Sequence, residues 1–140
     1  KKNIKKNIDI NISANINLIK FFLPLMIKNS FGRIIHFSST KVLEGEIGTT
    51  LYSASKSFLN GLSASIATEY GKFNITSNIL SLGYFRSTLW QAIPSKIKKD
   101  RLKDIPSRKL GSIKNISNAI DFIINSEYVN KSSIKIDGGI

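Results

Sequence analysis

A chain of 140 residues with 41% apolar content and no cysteine suits one packed domain, and it excludes a disulfide scaffold or a thiolate metal site. A single histidine excludes a multi-histidine metal cluster. The net charge of +12 suits a nucleic-acid or acidic-membrane partner, but the lysines are scattered, no aromatic platform interleaves with them, and the apolar run at residues 21–27 is too short to cross a bilayer.

In chain order, residues 10–29 carry Ile12, Ile16, Ile19, Leu23, Met26 and Ile27 at helical spacing, with Pro24 placed to kink the helix. Gly32 and Arg33 lead into the apolar run Ile34, Ile35, His36 and Phe37, which reads as a short buried strand with the histidine in a structural role. Residues 42–50 hold Gly45 and Gly48 and read as a mobile loop. Residues 51–71 form a second helix, whose small residues Ser53, Ala54, Ser55, Ser63, Ala64 and Ala67 permit close packing on a sheet or a partner. A second strand follows at 76–81. Residues 84–107, with Trp90, Pro94 and Pro106, are irregular or form short helices, and Trp90 reads as an apolar plug. A third helix at 116–125 leads to a last strand at 133–136, and the chain closes on Asp137-Gly138-Gly139, which reads as a turn. Strands separated by helical crossovers predict an α/β fold with a parallel sheet and right-handed connections.

The chemistry concentrates in Ser38-Ser39-Thr40 and Tyr52-Ser53-Ala54-Ser55-Lys56. Tyr52 and Lys56 are four apart and share a helix face. An ammonium beside a phenol favours the phenolate, which suits proton transfer near neutrality. Ser39, at the end of the strand, can hydrogen-bond the same substrate oxygen. That spacing is weak evidence alone.

Its context makes it specific. Asn11 lies twenty-eight residues before Ser39, and Ser39 thirteen before Tyr52. The segment Gly83-Tyr84-Phe85-Arg86-Ser87-Thr88 follows the second strand, and Asp137-Gly138-Gly139 the last. In this order and at these intervals the chain, from about residue 9 to its end, resembles the short-chain dehydrogenase/reductase family, especially its beta-ketoacyl-carrier-protein-reductase-like members. The resemblance implies that Tyr52 is the general acid/base and that Ser39 orients and polarises the substrate oxygen. It implies that Lys56 lowers the phenol pKa and binds the nicotinamide ribose, and that Asn11 holds a water in a proton relay. It further implies that Tyr52 also touches the cofactor, NADP or NAD, and that Gly83, Phe85, Ser87 and Thr88 line it beside its carboxamide. Spacing from Gly83 favours Ser87 for the family's threonine and side-chain type favours Thr88. Leu82 replaces the usual proline before the glycine, which is expected to loosen that backbone. The segment at 84–107 corresponds to the family's substrate lid.

No glycine-rich phosphate turn occurs in the chain. Residues 1–140 are therefore expected to be the C-terminal portion of one short-chain reductase domain, part of a Rossmann-like doubly wound parallel sheet. The expected function is NAD(P)-dependent interconversion of a carbonyl and a secondary alcohol in a reducing cytoplasm. The fragment alone is expected to be inactive. Its substrate would be a small molecule, carrier- or nucleotide-linked if the positive charge serves binding. The resemblance also implies a homodimer or homotetramer built on the helices at 10–29 and 51–71; the scattered lysines and the short apolar run imply neither nucleic acid nor membrane as partner. Two other readings compete: an inactive remnant that keeps helix-mediated subunit contacts, and a basic nucleic-acid-binding module.

Overall fold

The computed structural model describes residues 2–140. Its first element is longer than the apolar spacing suggests. Helix α1 (Lys2–Ile8) passes through a π-helical turn (Asp9–Ser13) into α2 (Ala14–Lys28) without a break, and Pro24 lies inside α2 without ending it. The seven-residue apolar run therefore belongs to a continuous helix, of which Asn3–Lys28 is long and apolar enough, by length and composition, to cross a membrane. Asn and Lys side chains in the first turns masked that continuity in the sequence, since they break the apolar stripe without breaking the helix.

Strand β1 (Gly32–Ser39) follows, then a four-residue helix α3 (Lys41–Glu44) where the sequence suggests only a loop. Helix α4 (Thr50–Tyr70) is the longest single element and is followed by a 3₁₀ turn and Asn74 in the left-handed region. Strand β2 (Ile75–Leu82) leads to the short helices α5 (Thr88–Gln91) and α6 (Ser95–Asp104). Helix α7 (Ile113–Asn125) starts three residues before the expected position. Ser112 and Asn115 form a reciprocal capping box that fixes its first turn. Strand β3 (Ser133–Ile136) closes the sheet at its expected place.

The three strands form one parallel sheet in the order β1-β2-β3, as the alternation of strands and helices predicts. Registered pairs share a face, so the two sides can be read from the pairing. On one side lie His36, Ser38, Ile75, Ser77 and Ile79, against the small residues of α4. The buried hydroxyls of Ser63 and Ser77 meet there at 2.9 Å, and Leu59, Ile66 and Ala67 fill the rest. On the other side lie Ile35, Phe37, Ser39, Asn78, Leu80 and Leu82, with α7 across them, joined by Arg33 Nε donating to the Ile124 carbonyl.

His36 is 4% exposed, and burial pushes its pKa below the usual 6.5. Its Nδ1 lies 3.4 Å from Asn15 Oδ1, so it joins β1 to α2 in the structural role expected.

Candidate active site

The C-terminal ends of β1 and β2 and the first turns of α4 enclose one side of a cavity of about 640 Å³. The segment after β2, α6 and the start of α7 enclose the other. Ser39, Tyr52, Lys56, Gly83, Phe85 and Ser87 all line it. Residues far apart in sequence meet here because parallel strands end on the same side of a sheet, where the connecting loops must also lie.

Ser39 is the last residue of β1, on the α7 side, and its Oγ accepts the Lys41 N–H at 3.3 Å. Tyr52, in the first turn of α4, is 39% exposed, with no hydrogen bond to its hydroxyl among the described residues. Lys56 is one turn further on and donates from Nζ to the Phe37 carbonyl at 2.9 Å, which ties α4 to β1. Burial lowers the Lys56 pKa from its ordinary value. The cluster thus presents a hydroxyl and a phenol to the cavity, with an ammonium partly withdrawn from water beside them.

The segment after β2 is held by backbone contacts. Gly83 N–H donates to the Ile136 carbonyl at 3.0 Å, and a Cβ on Gly83 would fall 2.7 Å from the Asp137 Cα. Only glycine permits that approach. Leu82 is the last residue of β2, paired with Ser39 on one side and Ile136 on the other. The ladder holds the backbone there, so the missing proline does not free this position as the sequence suggests. Ser87 caps α5, accepting the Trp90 N–H at 3.2 Å, and faces the cavity; Thr88 is exposed and does not line it.

Asn11 stands apart. It is the middle residue of the π-helical turn, closed by Ala14 N–H donating to the Asp9 carbonyl, and it does not line the cavity. Its amide donates to the Asn7 carbonyl at 3.2 Å, and its own carbonyl accepts the Asn15 amide at 2.9 Å. The turn packs against α4, the helix of Tyr52 and Lys56. A π-turn displaces backbone carbonyls from the regular ladder and recurs at functional sites.

Four further cavity residues escape sequence reading. Lys41 and Arg101 place their cationic groups 5.7 and 5.2 Å from the centre of the Tyr84 ring, whose other neighbour is the Trp90 ring at 5.5 Å. Glu46 pairs with Arg101, and Thr49 caps the turn before α4. No local signal marks these four, because each acquires its role from a contact made by folding. Trp90 does plug the cavity wall.

Comparison with known proteins agrees with this architecture. All of residues 1–140 match the family profile described as Enoyl-(Acyl carrier protein) reductase. The chain is 31% identical over 137 residues to the 3-oxoacyl-(acyl-carrier-protein) reductase FabG of Rickettsia felis, covering 96% of this chain and 57% of that protein. It is 31% identical over 140 residues to Carbonyl reductase family member 4 of Xenopus laevis, covering 99% and 58%. A solved gluconate 5-dehydrogenase from Burkholderia cenocepacia, in complex with NADP and tartrate, superposes with a TM-score of 0.92 at 22% identity. The match covers 99% of this chain and 56% of that one. The chain thus spans a little over half the length of the relatives it matches, and the structural likeness extends over nearly all of it. On the profile match, the curated relatives and the fold together, the chain belongs to the short-chain dehydrogenase/reductase family, among its FabG-like members.

Proposed function

We propose that this chain forms the catalytic side of an NAD(P)-dependent oxidoreductase that interconverts a carbonyl and a secondary alcohol. The observation that carries the reading is the meeting of Ser39, Tyr52 and Lys56 on one cavity beside Gly83, Phe85 and Ser87. The residues suit a nicotinamide ribose and carboxamide. Lys56 offers a half-buried ammonium bound only to one backbone carbonyl among the described residues, and Gly83 permits a close backbone path. The relatives' names and the NADP in the gluconate 5-dehydrogenase complex point to the same cofactor class. When bound, the dinucleotide supplies the hydride in reduction and accepts it in oxidation.

The chain's own groups handle the proton. In reduction, Ser39 Oγ–H donates a hydrogen bond to the substrate oxygen and polarises the carbonyl. Tyr52 Oη passes its proton to that oxygen as negative charge develops there. The Lys56 ammonium stabilises the phenolate left behind. In oxidation the same groups act in reverse. Asn11, in the π-turn packed against α4, holds a water through which the replacement proton returns; Ser87, which lines the cavity, takes the place beside the carboxamide. The pyrophosphate-binding turn belongs, in this reading, to a part of the same domain encoded before residue 1. The substrate is a small molecule, and a carrier- or nucleotide-linked one suits the basic lid.

Calorimetric titration of the complete gene product with NADPH and NADH tests this reading. At least one should bind with micromolar affinity, and Lys56→Ala should weaken it about tenfold, by loss of a charge-assisted hydrogen bond. Binding unchanged by the substitution would refute the ribose contact, and binding of neither dinucleotide would refute the function.

The same proposal includes self-association through α2 and α4. Phe21, Phe22, Leu25 and Ile16 are between 44% and 69% exposed along α2, a row that a second copy can cover. Sedimentation of the complete gene product without detergent should show a dimer or tetramer at micromolar concentration. A monomer, or a protein that stays in solution only with detergent, would contradict this and favour lipid as the cover.

A further inference from the structure

Arg101 on α6 and Glu46, in the turn before α4, meet at 2.7 Å on the cavity wall. They are 55 positions apart in sequence, and their side chains are 29% and 33% exposed. Glu46 is wired to the start of α4. Its carbonyl accepts the Thr49 hydroxyl at 2.7 Å and the Thr49 N–H at 3.1 Å. Thr49 in turn accepts from Ser53, the hydroxyl at 3.2 Å and the N–H at 2.7 Å. Tyr52 lies between these two residues on the first turn of α4.

Apart from α3, where the Gly45 N–H donates to the Lys41 carbonyl at 3.2 Å, little side-chain packing fixes this turn. Gly45 and Gly48 flank Glu46 and Ile47 with φ of 70° and 82°, and no atom lies within 4 Å of where either Cβ would stand. Ile47 is fully exposed. A turn with free space at both glycines and no buried apolar anchor takes its position from its polar contacts. The contact that reaches across the cavity is the ion pair to Arg101, whose guanidinium also rests on the Tyr84 ring at 5.2 Å.

We propose that the Arg101–Glu46 pair is a clasp that positions Tyr52, by fastening α6 to the turn that begins α4. Both are positioning residues, and the proposal rests on reading Tyr52 as the proton donor. A substrate packed against Tyr84 and Trp90 touches the support of the clasp, so occupancy of the cavity and alignment of the phenol are linked.

The test uses the complete gene product with Glu46→Gln, Arg101→Gln and the double substitution, followed by amide hydrogen exchange and by turnover of NADPH with acetoacetyl-CoA as carbonyl probe. Each single change should speed exchange of the Thr49–Ser53 amides by roughly two- to fivefold, the scale of a part-exposed ion pair, and leave the α7 amides unmoved. The double variant should exchange no faster than either single one, because one contact is lost in all three. Molar salt should speed exchange in the wild type and do little in the variants. kcat should fall by a similar factor while NADPH affinity holds. Unchanged exchange, additive effects of the two substitutions, or faster exchange with kcat unaltered would each overturn the clasp. Should the protein not turn over this probe, the exchange and its additivity still decide. Retained turnover in Tyr52→Phe would instead overturn the proton-donor reading and leave the exchange coupling standing.

Discussion

Asn78→Ala should destabilise the protein by about 2–4 kcal/mol, the largest stability effect expected of any polar residue in the chain. Asn78 sits in the middle of β2 and is fully buried. Its amide donates to the Val129 carbonyl at 2.8 Å and its Oδ1 accepts the Ser132 N–H at 3.0 Å. Both partners lie in the connection from α7 to β3, outside the paired strands. Alanine would leave a carbonyl and an N–H facing a small void, each losing its partner. The Ser132 carbonyl accepts the Ile79 N–H at 2.8 Å, so a shift in that connection would reach the β2–β3 ladder. Exposed Asn118 on α7 provides the control, since its replacement by alanine should stay within about 0.5 kcal/mol. Urea unfolding of both variants decides the matter, and a loss below 1 kcal/mol for Asn78→Ala would show that water replaces the two bonds.

Asn78 also shows where sequence reading stops. The strand around it was legible, because Ile75, Ile79 and Leu80 supply an apolar run between turn residues. The buried amide was not, since asparagine is common in this chain and nothing local separates a clamp from a surface residue. The same holds for Asn130, whose Oδ1 accepts the Ser77 N–H at 2.8 Å across 53 positions. The parallel order, β3 and the pairing of Tyr52 with Lys56 on one face of α4 followed from periodicity and spacing. The start of the first helix did not, because the Lys and Asn side chains there interrupt its apolar row, although Lys itself favours helix. Likewise spacing and side-chain type left Ser87 and Thr88 unseparated, and of the two it is Ser87 that caps α5 and lines the cavity. The clasp was wholly beyond reach, being a contact between two ordinary charges 55 positions apart that only the fold brings together.

Tyr52→Phe probes the proton step alone. The ring keeps its volume and its place on α4, so packing and the approach to Lys56 change little. Only the hydroxyl is lost, and with it the proton that must reach the substrate oxygen. Positioned proton donors of this kind contribute about 10²–10⁴ in rate, so kcat should fall at least about a hundredfold. Dinucleotide affinity should remain within about twofold, because no group assigned to hold the cofactor by charge has been removed. The measurement is the single-turnover rate of NADPH oxidation, or NADH if that is the dinucleotide bound, by the complete gene product and its Tyr52→Phe variant, with any carbonyl compound the wild type reduces. A rate at least about a hundredfold lower, at unchanged cofactor affinity, is the predicted result; a variant within a few fold of wild type would contradict the account.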